Sequence, residues 1–136
     1  MNYVCVRGGT KKERQLVEHA IQWSIKKLLP RVRTLEIEAR LTKCNAYGYC
    51  LNTDDHKTFE LEFRKGMSLY DLISTVCHEM VHVKQYYRKE MDHDRRWKSR
   101  KISEEVSYEN EPWEKEAFRM EEKLAMECFK ELAFSL

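Results

Sequence analysis

Residues 68–87 read SLYDLISTVCHEMVHVKQYY. Leu69, Leu72, Ile73, Val76, Met80, Val83 and Tyr87 recur at helical spacing behind a Ser68–Asp71 start signal, which predicts a helix of about 24 residues. Inside it stands His78-Glu79-Met80-Val81-His82. Positions i and i+4 of a helix are neighbours on one face, about 5–6 Å apart between Cβ atoms. Two imidazoles so placed can share one metal ion, for which zinc is the usual occupant. Glu79, beside the first of them, can take a proton from water held at the metal and pass it to a leaving amine. Cys77 lies about 100° around the helix from His78, so core packing is expected of it rather than ligation. Gln85, one turn after His82, either lines the cleft or faces solvent.

Upstream, Thr10-Lys11-Lys12-Glu13 has the form of a capping box. The stripe behind it, Leu16, Val17, Ala20, Ile21, Ile25, Leu28 and Leu29, predicts a helix as far as Pro30. Tyr3–Val6 read as a short strand or an extended arm closed by Gly8-Gly9, and residues 1–9, as an arm crossing the cleft, would inhibit it. Leu35–Leu41 and Phe59–Phe63 alternate apolar with charged residues, and Cys44–Leu51 is aromatic with a central Gly48. With Asn52–Asp55 as a turn, these predict a three-stranded, mostly antiparallel meander. Its strand 59–63 lies next in sequence to the HExxH helix, where an open strand edge would be able to pair with an extended peptide. Downstream, residues 90–108 are polar and irregular, and Asn110-Glu111-Pro112 predicts a last helix with Trp113, Ala117, Met120, Leu124, Cys128 and Leu132 inward. The fold class is therefore α+β.

With 136 residues, the chain is one domain's worth, since domains usually run to about 100–150 residues. No apolar run approaches the roughly 18 residues of a membrane span, and no secretory signal is expected from MNYVCVRGGT. Basic residues number 25 against 23 acidic ones, so a globally basic nucleic-acid protein is excluded, though a local patch is not. Five cysteines without a CxxC argue against both a disulfide framework and a Cys-rich zinc module. Free thiols in a reducing cytoplasm are the expectation, Cys44 and Cys50 included.

A catalytic zinc needs a third protein ligand and an open position. The metzincin pattern would put Gly at position 85 and His at 88, where this chain has Gln85 and Arg88. The order helix, small sheet, HExxH helix, then a helix opening Pro112-Trp113-Glu114-Lys115-Glu116-Ala117 resembles the minimal gluzincins, small zincin metallopeptidases. It is also similar to small phage-encoded metallopeptidase-like proteins, which would place it in a host cytoplasm. The resemblance spans residues 10–130 in organisation and about a dozen residues in motif. It implies Zn²⁺ held by His78, His82 and a Glu of the last helix. In the E-x-x-A form of gluzincins that Glu is Glu114, with Glu111, Glu116 and His93 as alternatives. Glu79 is then the general base and acid, and Tyr108, His93 or Arg95 the group polarising the scissile carbonyl.

The whole chain, 1–136, is expected to be one zincin-like metallopeptidase domain acting on a peptide or protein substrate. A second reading starts from Arg95-Arg96-Trp97-Lys98-Ser99-Arg100-Lys101, five cations around one Trp. That run is expected to be a solvated loop anchored by Trp97. As an alternative it is the working surface of a non-proteolytic zincin-fold module that contacts nucleic acid or an acidic partner.

Overall fold

The computed structural model describes residues 1–53 and 55–135, with side chains as far as Leu132; Asp54 of the expected turn lies outside the described residues. Strand β1 (Tyr3–Gly8) leads through helix α1 (Lys11–Leu28) to β2 (Glu36–Thr42), β3 (Gly48–Asn52) and β4 (Thr58–Arg64). Helix α2 (Leu69–Tyr87), a small hairpin of β5 (Arg96–Trp97) and β6 (Arg100–Lys101), a 3-10 turn (Tyr108–Asn110) and helix α3 (Pro112–Ser135) complete the chain. No helix among the described residues is long and apolar enough to cross a membrane.

The main sheet is mixed and has four strands, in the order β1-β2-β4-β3. This corrects the expected three-stranded meander in two ways. First, residues 3–8 are a strand pairing in parallel with β2, from Tyr3 opposite Glu36 to Gly8 opposite Leu41. They form the sheet edge farthest from β3, not an arm across the cleft. Parallel neighbours need a crossover of a dozen or more residues, and α1 supplies it. Second, β4 is internal, parallel to β2 on one side and antiparallel to β3 on the other. The edge beside the HExxH helix is therefore β3.

Alternation along the strands sets which face is buried. Ile37, Ala39, Leu41, Phe59, Leu61 and Phe63 face α1 and α2, while Glu36, Glu38, Arg40 and Glu60 face solvent. At Gly8 the backbone is left-handed (φ 82°), and a Cβ there would meet the Leu41 carbonyl oxygen at 2.3 Å. Gly48 serves the site more directly. A Cβ on it would come within 2.7 Å of Thr75 Cγ2, so glycine lets β3 lie tightly against α2 one turn before His78.

Both expected start signals form. Thr10 Oγ1 accepts from Glu13 N, and Glu13 Oε1 accepts from Thr10 N. Glu13 Oε2 also accepts from Gly66 N at 2.8 Å, tying the entry to α2 onto α1. Ser68 Oγ caps α2 by accepting from Asp71 N. Helix α2 runs 19 residues, shorter than the stripe implied. It stops because Lys89 turns left-handed (φ 58°) and closes the end, with Lys89 N donating to Tyr86 O and Glu90 N to Gln85 O. Glycine usually marks such a terminus, and a lysine hides it from the sequence. Helix α3 packs chiefly on α2, burying Ala117, Leu124, Cys128 and Leu132 as expected. With sheet, α1 and α3 around it, α2 is buried on nearly every side, and its buried polar groups, Thr75, His78, Glu79, His82 and Gln85, need specific partners.

Candidate metal centre

Those partners converge on one point. His78 and His82 project from the middle of α2, their ring centroids 5.0 Å apart. Pro112 starts α3 opposite them, which places Glu114 in its first turn. Glu114 Oε1 lies 3.0 Å from His78 Nε2 and 3.2 Å from His82 Nε2; its other oxygen is 3.1 Å from His82 Nε2. Ligand atoms of the three side chains all fall within 4.8 Å of one another, so His78, His82 and Glu114 could hold a metal ion.

The remaining ring nitrogens also face oxygen. His82 Nδ1 is 2.8 Å from Gln85 Oε1. His78 Nδ1 is 3.2 Å from Glu121 Oε2, at ion-pair distance though off the line of a hydrogen bond. A neutral imidazole carries one N–H and one lone pair. Four ring nitrogens directed at oxygens therefore call for positive charge in their midst, either extra protons or a metal cation.

The electrostatics agree. Burial alone would depress His78, but the carboxylates of Glu114, Glu121 and Glu79 overcome it and lift its pKa to about 10. His82 is raised in the same way, against its burial, by Glu114 and Glu79 and by its bond to Gln85. Burial opposes the charge of Glu114, yet bonds to the two histidines hold its pKa at about 2. Glu79 is 7% exposed; burial raises its carboxyl above the usual range, with His82 and His78 partly offsetting this.

Two cavities flank the cluster. One, of about 330 Å³, is bordered by Gly48, His78, Glu79, Tyr108, Phe118 and Glu121. The other, of about 280 Å³, is bordered by Cys50, His82, His93, Arg95, Trp113 and Glu114. Strand β3 lends Gly48 to the first and Cys50 to the second, so it runs past both sides of the centre. Among the described residues it pairs with β4 alone, which leaves its other, outward edge without a strand neighbour.

Of the residues singled out in the sequence, His78, Glu79, His82 and Glu114 come together. Tyr108 joins them at the rim of the cavity beside Glu79; partial burial, then the nearby Glu114 carboxylate, push that hydroxyl's pKa up. The alternatives for the third ligand are engaged elsewhere. Glu111 Oε2 accepts from Arg95 Nη1 at 2.7 Å, and Glu116 Oε1 accepts from Lys84 Nζ at 2.9 Å. His93 rests against the Tyr86 ring, centroids 5.3 Å apart, in the cavity beyond His82. Arg95 also donates to Ile102 O and Ser103 O and lies over the Trp113 ring, so it is a structural cation. The basic run it opens is a hairpin rather than an irregular loop, with Lys98 and Ser99 left-handed at its tip. Trp97 is half-buried there, as its anchoring role anticipated.

Two contributors escaped the sequence reading. Glu121 lies seven residues after Glu114, two helical turns along the same face, a spacing that could have disclosed it. Gln85, expected in the cleft or in solvent, is wholly buried and bonded to His82. All five cysteines are free, and Cys77 packs inside against Cys128 and Ser24 as expected. Comparison with known proteins finds no matching family model, no similar curated protein and no similar solved structure.

Proposed function

We propose that this chain is a zincin-like, zinc-dependent metallopeptidase of the minimal gluzincin type. The observation that carries the reading is the carboxylate of Glu114, brought by a second helix between the Nε2 atoms of His78 and His82, with Glu79 buried beside them at the cavity wall. Two imidazoles and one carboxylate are the donor set of catalytic rather than structural zinc, because they leave a position open. A zinc ion held there would polarise a peptide carbonyl and make water a stronger acid.

The chain's own residues supply the rest. Glu79 accepts the proton of the attacking water, and its raised pKa lets it return that proton to the leaving amine. The Tyr108 hydroxyl, at the rim of the same cavity, is placed to donate to the carbonyl oxygen as negative charge develops on it. The outward edge of β3 offers backbone N–H and C=O groups to an extended peptide lying across both cavities. Free thiols throughout suit a reducing compartment such as the cytoplasm.

The test is metal content together with casein cleavage, wild type against Glu79→Gln. Stoichiometric zinc in both proteins, with cleavage abolished in the variant, is expected. Cleavage at the wild-type rate by Glu79→Gln would refute the role of that carboxylate. Zinc in both with cleavage by neither would favour a non-proteolytic zincin-fold module working through the basic hairpin.

A further inference from the structure

Gln85 has no exposed surface, and all of its amide is engaged. Its Nε2 donates to Trp113 O at 3.0 Å and to Glu116 Oε1 at 3.1 Å, and its Oε1 stands 2.8 Å from His82 Nδ1. The orientation of the amide is forced by chemistry. A backbone carbonyl can only accept, and Glu116 Oε1 also receives the Lys84 ammonium at 2.9 Å, so it too stands as an acceptor. Turned the other way, the amide would set its own oxygen against two oxygens that can only accept. The NH₂ end must therefore face α3, and the carbonyl end must face His82.

It follows that His82 carries its proton on Nδ1, because the atom opposite it can only accept. A neutral ring protonated there presents its lone pair at Nε2, the nitrogen directed at Glu114. The same amide grips Trp113 and Glu116, the residues on either side of Glu114 and Lys115 in the first turn of α3. One side chain thus fixes the tautomer of one ligand and the position of the helix turn that brings another.

We propose that Gln85 is a positioning residue of the metal centre, locking His82 as the Nδ1–H tautomer while clamping the α3 turn that presents Glu114. The proposal rests on the metal-site reading, and its test separates the two. One measurement is zinc affinity by chelator competition; the other is the His82 Nδ1–H resonance in ¹H–¹⁵N spectra of ring-labelled protein, recorded with and without zinc. Gln85→Met, close in volume but without the amide, should weaken zinc binding about 10–100-fold, the range for losing an orienting partner. It should also lose the protected Nδ1–H signal. Gln85→Glu combined with Glu116→Gln gives up the donor to Trp113 O but keeps an acceptor for His82, an amide at position 116 and the net charge, so the Nδ1–H signal should persist.

Wild-type affinity and an intact signal in Gln85→Met would overturn the proposal. So would loss of the signal in the exchanged pair, which decides the matter should Gln85→Met not fold. A wild-type protein that binds no zinc, yet shows a Nδ1–H signal dependent on residue 85, would refute the metal-site reading and leave the tautomer lock standing.

Discussion

Zinc binding should be steeply pH-dependent around neutrality, because the ion must displace protons that the cluster holds tightly. With its pKa lifted to about 10, His78 is almost wholly protonated at pH 7 in the metal-free protein. Three pH units of competition correspond to about a thousandfold loss of apparent affinity, roughly 4 kcal/mol, relative to the deprotonated site. Each proton displaced makes affinity rise about tenfold per pH unit, and His82, also raised, adds a second proton where it too is charged. Chelator competition between about pH 6 and pH 8 should therefore give an affinity rising 10- to 100-fold per unit. Calorimetry in buffers of different ionisation enthalpy should count one to two protons released. Stability of the metal-free fold responds in a fixed sense. The raised His78 stabilises fully below its ordinary value of 6.5 and ceases to as pH climbs through about 10. The lowered Glu114 stabilises above its ordinary 4.5 and ceases to as pH falls through about 2. The metal-free fold should thus gain most from the cluster between those two ordinary values, and zinc should matter more as pH rises above them. Affinity flat with pH, with no proton released, would refute the reasoning.

Two further outcomes follow from the geometry. Glu114→Ala should weaken zinc binding by more than the roughly 100-fold that losing an outer partner can cost, whereas Glu111→Ala, which removes only the partner of Arg95, should stay within a few-fold. Equal affinities in a chelator titration would dismiss Glu114 as a ligand. Gly8→Ala should destabilise the fold by about 1–3 kcal/mol, since it pairs a left-handed backbone with a clash on Leu41 O. Gly66→Ala, equally left-handed but meeting nothing within 4 Å, should lose only the backbone part, about 1–2 kcal/mol; urea denaturation compares the two.

What the sequence disclosed and what it hid divide along physical lines. Helix starts are written locally, in Thr10 with Glu13, in Ser68 with Asp71 and in Pro112, so they were legible. Alternation in residues 36–42 and 58–64 discloses which side chains turn inward but is silent about which strand lies beside which. Strand neighbours are settled by connection lengths, and here one cue was present. A short alternating strand, an 18-residue helix and a second alternating strand make a parallel unit, which would have drawn residues 3–8 into the sheet. At the site, the pair His78 and His82 is fixed by spacing on a single helix and was plain. Glu114 required a resemblance, because nothing local to α3 says that its first turn meets the middle of α2. Gln85 and Glu121 depend entirely on how those two helices cross.

That crossing and the strand order bear jointly on the function. Had β4 been the edge, the strand offered to substrate would have been one of alternating Glu and Phe, with its charged residues on the solvent face. The edge is β3 instead, whose first residue is a glycine pressed against Thr75. A larger residue there would push the strand off α2 and widen the gap between its outward edge and His78. The same short segment borders the cavity beside Glu79 through Gly48 and the cavity beside His82 through Cys50. In the proposed reading, an extended chain pairing with β3 would run along both cavities. The peptidase proposal thus needs two things at once: the α2–α3 contact that gathers the donor atoms and a strand edge that borders both cavities.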